Sequence, residues 1–232
     1  LSRLYNKSSG RIIRKEEIEM KHIVSFSGGK DSTAMLLRML EENMPIDEII
    51  FVNTGKDFPD MLQHIKQVNN YIMRNYGKEI TSLLPRNSFD YYMFEHEKTR
   101  GKNKGKKGYG WATMLCRWCT SNLKTRTINS YLKQYEKEGY VEYVGIAYDE
   151  PKRIKDKNYP LVDWEMTEAD CLQYCYDKGF TWNGLYKHFD RLSCWCCPLK
   201  NLKELKILYK YYPDLWNELK KMDKKAYNQF RA

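Results

Sequence analysis

One stretch constrains this chain more than any other. Residues 22–27, His-Ile-Val-Ser-Phe-Ser, read as a short buried strand, and Gly28-Gly29 follow at once. From Asp31 to Glu42 the apolar side chains Ala34, Leu36, Leu37 and Leu40 recur at helical spacing. A strand that turns through two glycines into a helix leaves the first helical N–H groups unpaired, with the positive end of the helix dipole behind them. Glycine lets the backbone approach an anion with no Cβ in the way. Ser27, Ser32 and Thr33 add hydroxyl groups, and Lys30 adds a point charge. Asp31 in such a place implies a helix cap or a Mg²⁺ ion to orient. The run Ser27-Gly28-Gly29-Lys30-Asp31-Ser32 is therefore expected to hold phosphate. It lacks the Gly-x4-Gly-Lys spacing of a Walker A loop.

The alternation continues. Ile49 to Val52, within Asp47–Asn53, reads as a second buried strand, and Pro59-Asp60 open a helix with Met61, Leu62, Ile65, Val68 and Ile72 on one side. Ile80–Leu84 is a third strand, Thr120–Lys137 a helix and Tyr140–Ala147 a strand. A further helix begins at Thr167, with Glu168 and Asp170 in its first turn, where negative charge is favoured. After Pro198 the Lys- and Leu-rich chain is helical to about Met222. Strands alternating with helices predict an α/β fold: a doubly wound, mainly parallel sheet flanked by helices. The expected organisation is an N-terminal extension over 1–20, one nucleotide-binding domain over 21–199 and a helical tail over 200–232.

The length of 232 residues and a hydrophobic content of 42% suit one such domain with a small appendage. No apolar run is long enough to cross a bilayer, and Leu1–Met20 is too polar for a signal peptide. A cytoplasmic protein is expected. The chain begins with Leu, as a fragment or a processed chain would. The net charge of +10 favours polyanionic partners, nucleotides or nucleic acid, and equally describes a solvated Lys-rich surface. Residues 98–108 are basic, Gly-rich and aperiodic, and read as a mobile surface loop that is solvated or closes over an anion.

Seven cysteines are present. In a reducing compartment close Cys pairs mean metal or redox chemistry more often than disulfides. Cys116 and Cys119 form one Cys-x2-Cys pair, and Cys194 and Cys197 another. Together they supply four thiolates, which suit Zn²⁺ and a [4Fe–4S] cluster alike. Cys196 lies inside the second pair as a fifth thiol, a candidate for a redox or sulfur-carrying role. Cys171 and Cys175, four apart on a helix, are expected in the core, as are Trp118 and Trp195. His22, His64, His96 and His188 show no ligand pattern.

The loop 27–32 resembles the PP-loop of the adenine nucleotide α-hydrolase-like superfamily, and further segments resemble its phosphoadenosine phosphosulfate (PAPS) reductase family. These are Val52-Asn53-Thr54-Gly55 with Phe58-Pro59, Arg117-Trp118-Cys119-Thr120 with Leu123-Lys124, Gly145-Ile146 with Asp149-Glu150 and Arg153, and Tyr159-Pro160-Leu161 with Asp163-Trp164. Asn53 and Ala147 stand where the family commonly has Asp and Arg. The resemblance runs from about His22 to Leu199. It implies that Ser27, Gly28, Gly29, Asp31 and Ser32 contact phosphate, that Thr54 and Gly55 flank the nucleotide, and that Lys124 and Arg153 add anion contacts. Relatives that reduce adenosine phosphosulfate hold a [4Fe–4S] cluster with two Cys pairs.

The activity this implies is cleavage of ATP between its α and β phosphates with Mg²⁺, coupled to sulfur transfer. Lys30, Asp31 and Cys196 are the catalytic candidates, a nucleic acid is a candidate acceptor, and a sulfur-donor or reductant protein is a candidate partner. Reduction of a sulfonucleotide is the alternative. Family members that release sulfite carry a C-terminal Glu-Cys-Gly-x-His segment, and no Cys follows Cys197 here. A non-catalytic nucleotide-binding module is the third reading.

Overall fold

The computed structural model describes residues 20–230. Four parallel strands form one sheet: β1 (Lys21–Ser25), β2 (Glu48–Val52), β3 (Ile80–Leu83) and β4 (Tyr140–Val144), in the order β3-β2-β1-β4. The register aligns Ser25 with Ile50 of β2 and with Val144 of β4. β2 is buried over Ile49–Val52, which is why it runs apolar instead of alternating, and in β1 the adjacent Ile23 and Val24 are both fully buried. All four strands fall where the sequence spacing predicts them, each ending one to three residues before the expected end.

The helices are α1 (Lys30–Glu41), α2 (Pro59–Tyr76), α3 (Arg126–Leu132), α4 (Pro160–Asp163), α5 (Glu168–Asp177), α6 (Leu202–Tyr211) and α7 (Pro213–Phe230). Pro at the first helical position starts α2, and Gly77, with φ +62°, closes it in the left-handed conformation. Reciprocal capping boxes start α5 (Thr167 with Asp170) and α6 (Asn201 with Glu204).

The structure refines three expectations. The segment 120–137 is not one α-helix: a π-helical turn over Thr120–Thr125 precedes α3, and a 3₁₀ turn over Lys133–Tyr135 follows it. Thr127 Oγ1 donates to the Leu123 carbonyl at 2.7 Å, the back-bonding by which threonine loosens a helix. The C-terminal helix breaks before Pro213, which has no N–H to continue it, and then runs on to Phe230. Residues 97–107 form a hydrogen-bonded hairpin, with an antiparallel bridge between Glu97 and Lys107 and the Lys98 N–H on the Lys106 carbonyl at 3.0 Å.

The described residues form a main core and a smaller cluster of Ile23, Ile50 and Leu132; the main core runs through most of the elements. Val24, Met35 and Leu37 are joined in it by Trp182, Leu185 and Phe189, and also by Leu208 of α6 and Met222 and Ala226 of α7. Cys171 and Cys175 are buried in it, as expected from their shared helical face. Chain order reverses at β1, which has β2 on one side and β4 on the other. The crevice beyond the carboxyl ends of β1 and β4 is therefore a topological switch point, where open α/β sheets bind ligands.

Candidate nucleotide and metal site

The loop after β1 enters this crevice. Gly28 sits at φ +79°, and a Cβ there would lie 2.8 Å from Met61 Sδ, so the loop packs down on α2 only as glycine. Ser27 and Ser32 join across the loop, Oγ to Oγ, at 2.9 Å, and the Ser27 N–H donates to Ser32 Oγ at 3.2 Å. Thr33 Oγ1 meets His64 Nε2 at 3.1 Å. The loop's back is sealed by Trp182, whose Nε1 donates to the Gly28 carbonyl at 2.7 Å and whose ring stacks on His64, centroid to centroid 4.2 Å. His64 is buried, and burial pushes its pKa down to about 3, so it is a neutral structural imidazole.

Gly145, one residue past β4, brings the second wall against α1. A Cβ at Gly145 would lie 2.7 Å from Ser32 N and Cα. That close approach carries the chain from β4 directly over the α1 N-terminus. Three carboxylates converge there from three elements: Asp31 in the first turn of α1, Glu150 beyond β4, and Glu168 at the start of α5. One oxygen of each lies within 4.8 Å of the others. Octahedral Mg²⁺ with bonds of about 2.1 Å places its oxygen ligands about 3.0 to 4.2 Å apart, so the trio fits a hard divalent cation with small adjustment. Asp31 Oδ1 is buried and accepts no hydrogen bond. Burial, reinforced by the charges of Glu168 and Glu150 and opposed by Lys30, raises the Asp31 pKa to about 6.

The cations expected on phosphate are held by these acids. Lys30 Nζ lies 2.9 Å from Glu168 Oε1 and 3.6 Å from Asp31 Oδ1. Arg153 pairs with Glu150, and Arg191 approaches the same carboxylate at 3.8 Å. Lys30 and Arg153 are thus counter-ions of the acidic trio. A crowded set of carboxylates attracts nearby cations.

Of the remaining expected residues, Thr54 is buried and donates to Asp57 Oδ2 at 3.2 Å, while the Gly55 N–H closes an Asx turn on Asn53 at 2.9 Å. Lys124 is exposed on the π-helical turn and close enough to Cys194 to favour its thiolate. Cys194 and Cys197 share one turn, with the Cys197 N–H on the Cys194 carbonyl at 3.0 Å, in the connection before α6. Cys194 Sγ lies 3.9 Å from Thr54 Oγ1, and burial raises its pKa to about 11. Cys116 is exposed and Cys119 half-buried.

A four-thiolate zinc, with Zn–S of 2.3 Å, needs sulfurs about 3.8 Å apart. Among the described residues no three of these thiols come within 4.8 Å of one another. The residues do not present a closed zinc set. A cubane spreads its thiolates more widely.

Cys196 does not suit a nucleophile. It is buried, and burial pushes its thiol pKa far up, which keeps it protonated. Buried Lys200, whose own pKa burial lowers, lies beside this cysteine turn and donates to Ser193 Oγ at 3.1 Å.

A sequence model of the phosphoadenosine phosphosulfate reductase domain matches residues 21–200. This chain belongs to the PAPS reductase family. Among proteins related to this family member is the uncharacterized protein MJ0066 of Methanocaldococcus jannaschii, 27% identical over 220 residues, or 88% of this chain and 41% of that protein. The uncharacterized protein MJ0973 of the same organism is 28% identical over 209 residues, 84% of this chain and 45% of that one. The chain spans less than half the length of these curated relatives. A solved structure, the U34-tRNA thiolase NcsA from Methanococcus maripaludis with its [4Fe–4S] cluster, overlays with a TM-score of 0.45 and 16% identity, covering 97% of this chain and 85% of that one. That likeness is too loose to bear on function.

Sequence reasoning did not assign Tyr186, Trp182, Glu150 or Glu168 to the site. In sequence Glu150 lies within a family-like segment, and Glu168 suggests only a dipole partner of its helix. Tyr186 and Trp182 carried no local signal, because only the packing of the 182–187 turn on α2 and α1 brings them to the loop.

Proposed function

We propose that this chain binds an adenine nucleotide over residues 27–32, with Mg²⁺ on Asp31, Glu150 and Glu168, and cleaves ATP between its α and β phosphates. The observation that carries this reading is the convergence of those three carboxylates on the N-terminus of α1, with Asp31 Oδ1 buried and without a hydrogen bond. Mg²⁺ held there would screen the phosphates and polarise the reacting phosphoryl group. Once the acids are neutralised, Lys30 is released from Glu168 to reach phosphate oxygens. The N–H groups of α1 and the hydroxyls of Ser27 and Ser32 orient the chain of phosphates. An acceptor oxygen attacks the α-phosphorus and pyrophosphate leaves. The adenylated acceptor then loses AMP to a sulfur nucleophile from a donor protein.

We assign Cys116, Cys119, Cys194 and Cys197 as ligands of an iron–sulfur cluster and derive no step through it. The test is the Mg²⁺-dependent appearance of AMP and pyrophosphate from ATP, measured chromatographically with candidate acceptors and lost in Asp31→Asn. Sulfite released from a sulfonucleotide in the presence of a thiol, without AMP and pyrophosphate from ATP, would replace this reading with reductase activity. Tight nucleotide binding with neither product would make the chain a binding module.

A further inference from the structure

The excess positive charge of this chain is not spread evenly. Between Glu97 and Glu136 there is no Asp or Glu. Six basic residues fall in the hairpin alone: Lys98, Arg100, Lys102, Lys104, Lys106 and Lys107. Residues 98–107 contain no apolar side chain beyond the threonine methyl, and residues 101–107 are exposed.

The fold adds a second basic element to this hairpin. Gln229, near the end of α7, donates through Nε2 to the carbonyls of Phe94 (2.8 Å) and Lys107 (3.2 Å). Lys98 Nζ lies over the Phe230 ring and Lys225 Nζ over the Phe94 ring, 4.1 Å from its centroid. α7 thereby lays Lys221, Lys224 and Lys225, with Asn228 and Gln229, along a shallow groove of about 520 Å³ beside the hairpin. The one acid among them, Asp223, is turned away to accept from Trp111 Nε1 at 2.9 Å. α7 lies beyond residue 200, where the family domain ends. The α7 half of this surface therefore lies outside the matched family domain, and the hairpin half lies within it.

We propose that the 98–107 hairpin and the lysine face of α7 form a docking surface for a nucleic-acid phosphate backbone. A protein partner would be anchored by apolar and aromatic side chains at the centre of its interface; here the groove is lined by lysine, Asn and Gln, and the exposed rings of Tyr227 and Phe230 lie outside that lining. Long, exposed lysines flanked by Asn and Gln are the side chains that grip phosphodiesters, releasing counterions as they do so. RNA and DNA share that chemistry. The inference names an acceptor class for the proposed reaction and rests on that reading only in this respect; docking itself needs no turnover.

The test is fluorescence anisotropy of the whole chain with a labelled single-stranded RNA and a labelled duplex DNA. Both are titrated at 50 to 200 mM KCl. The expected affinity falls roughly 50- to 150-fold across that range, as neutralising about four phosphates requires. The variant K102E/K104E/K221E/K224E is expected to bind at least tenfold more weakly at 100 mM KCl, with Mg·ATP binding unchanged. A charge-matched variant elsewhere, R126E/K133E/K203E/K206E, is expected to lose much less. Equal loss in both variants, or no binding by the wild type to either probe at 50 mM KCl, would overturn the proposal. So would binding of poly-glutamate or of phosphatidylserine vesicles as tight as that of nucleic acid at equal charge. The tighter of RNA and DNA identifies the source of the backbone. Absence of nucleic-acid binding by the wild type with intact ATP cleavage would sink this inference alone; nucleic-acid binding by the wild type without ATP cleavage would sink only the proposed activity.

Discussion

The hydroxyl of Tyr186 accepts the backbone N–H of Lys30 at 2.8 Å, across 156 residues of sequence. That N–H belongs to the first turn of α1 and is one of the donors a phosphate would use. The Tyr186 ring also stands 5.6 Å from Lys30 Nζ and packs edge-on against Trp182. Tyr186 thus holds an N–H that the proposed nucleotide phosphate would need. Tyr186→Phe removes the competitor and keeps the ring. One neutral hydrogen bond is worth about 1 kcal/mol, so the variant should bind Mg·ATP up to about fivefold more tightly by calorimetry and unfold about 1 kcal/mol more easily without it. A weaker nucleotide affinity would show instead that the hydroxyl turns to donate to the bound phosphate.

Asp31 is held in a site that disfavours its own charge. Replacing it by Asn keeps the shape and removes one of three crowded carboxylates. Without divalent cation, Asp31→Asn should therefore raise stability by about 1–3 kcal/mol, seen as a melting temperature higher by several degrees. With millimolar Mg²⁺ the order should reverse: the wild type gains stability by binding the ion and the variant does not. A variant that melts lower in both conditions would mean that Asp31 serves the fold and not the ion.

Much of this site was legible in the residues themselves. The glycine pair after a β-branched strand predicts the phosphate loop because only that backbone lets helix N–H groups face an anion. The loop's partners were not legible. Glu150 and Glu168 reach Asp31 only because β4 lies beside β1 and Gly145 lets it press on Ser32. Strand order is a tertiary choice that no local period records. Lys30 and Arg153 were read as anion donors because sequence shows their charge but not the carboxylates beside them. Cys196 likewise looked like a spare thiol, when the turn folds it inward against the core.

His64 makes stability depend on pH with a sign that can be worked out. Its folded-state pKa is about 3, below the ordinary 6.5, so between these values the unfolded chain binds one more proton than the native one. Stability should then fall by about 1.4 kcal/mol for each unit that pH drops below 6.5, and level off above it. Asp31 acts the opposite way between 3.8 and about 6, because there the native state holds the extra proton. The His64 contribution is isolated by subtraction: urea unfolding of the wild type and of His64→Phe at pH 7, 6 and 5. The variant keeps a ring against Trp182 and should lose stability less steeply on acidification. Parallel curves for the two proteins would refute a buried neutral imidazole.

The metal content decides what the cysteines do. The four thiols do not stand at zinc spacing, and Cys116 is exposed while Cys194 is held with a raised pKa. The proposed set of thiolates from residues 116–119 and 194–197 would suit the larger core of a cubane better than a single ion. Protein purified without oxygen should carry about four irons with matching sulfide and little zinc. Cys116→Ala and Cys197→Ala should each lose the cluster, whereas Cys196→Ala should keep it, since that thiol is buried and protonated. In unloaded protein, Cys116 should react first with a thiol reagent, and Cys196 only on unfolding. One zinc per chain, or loss of metal in Cys196→Ala alone, would assign the ligands differently and place Cys196 among them.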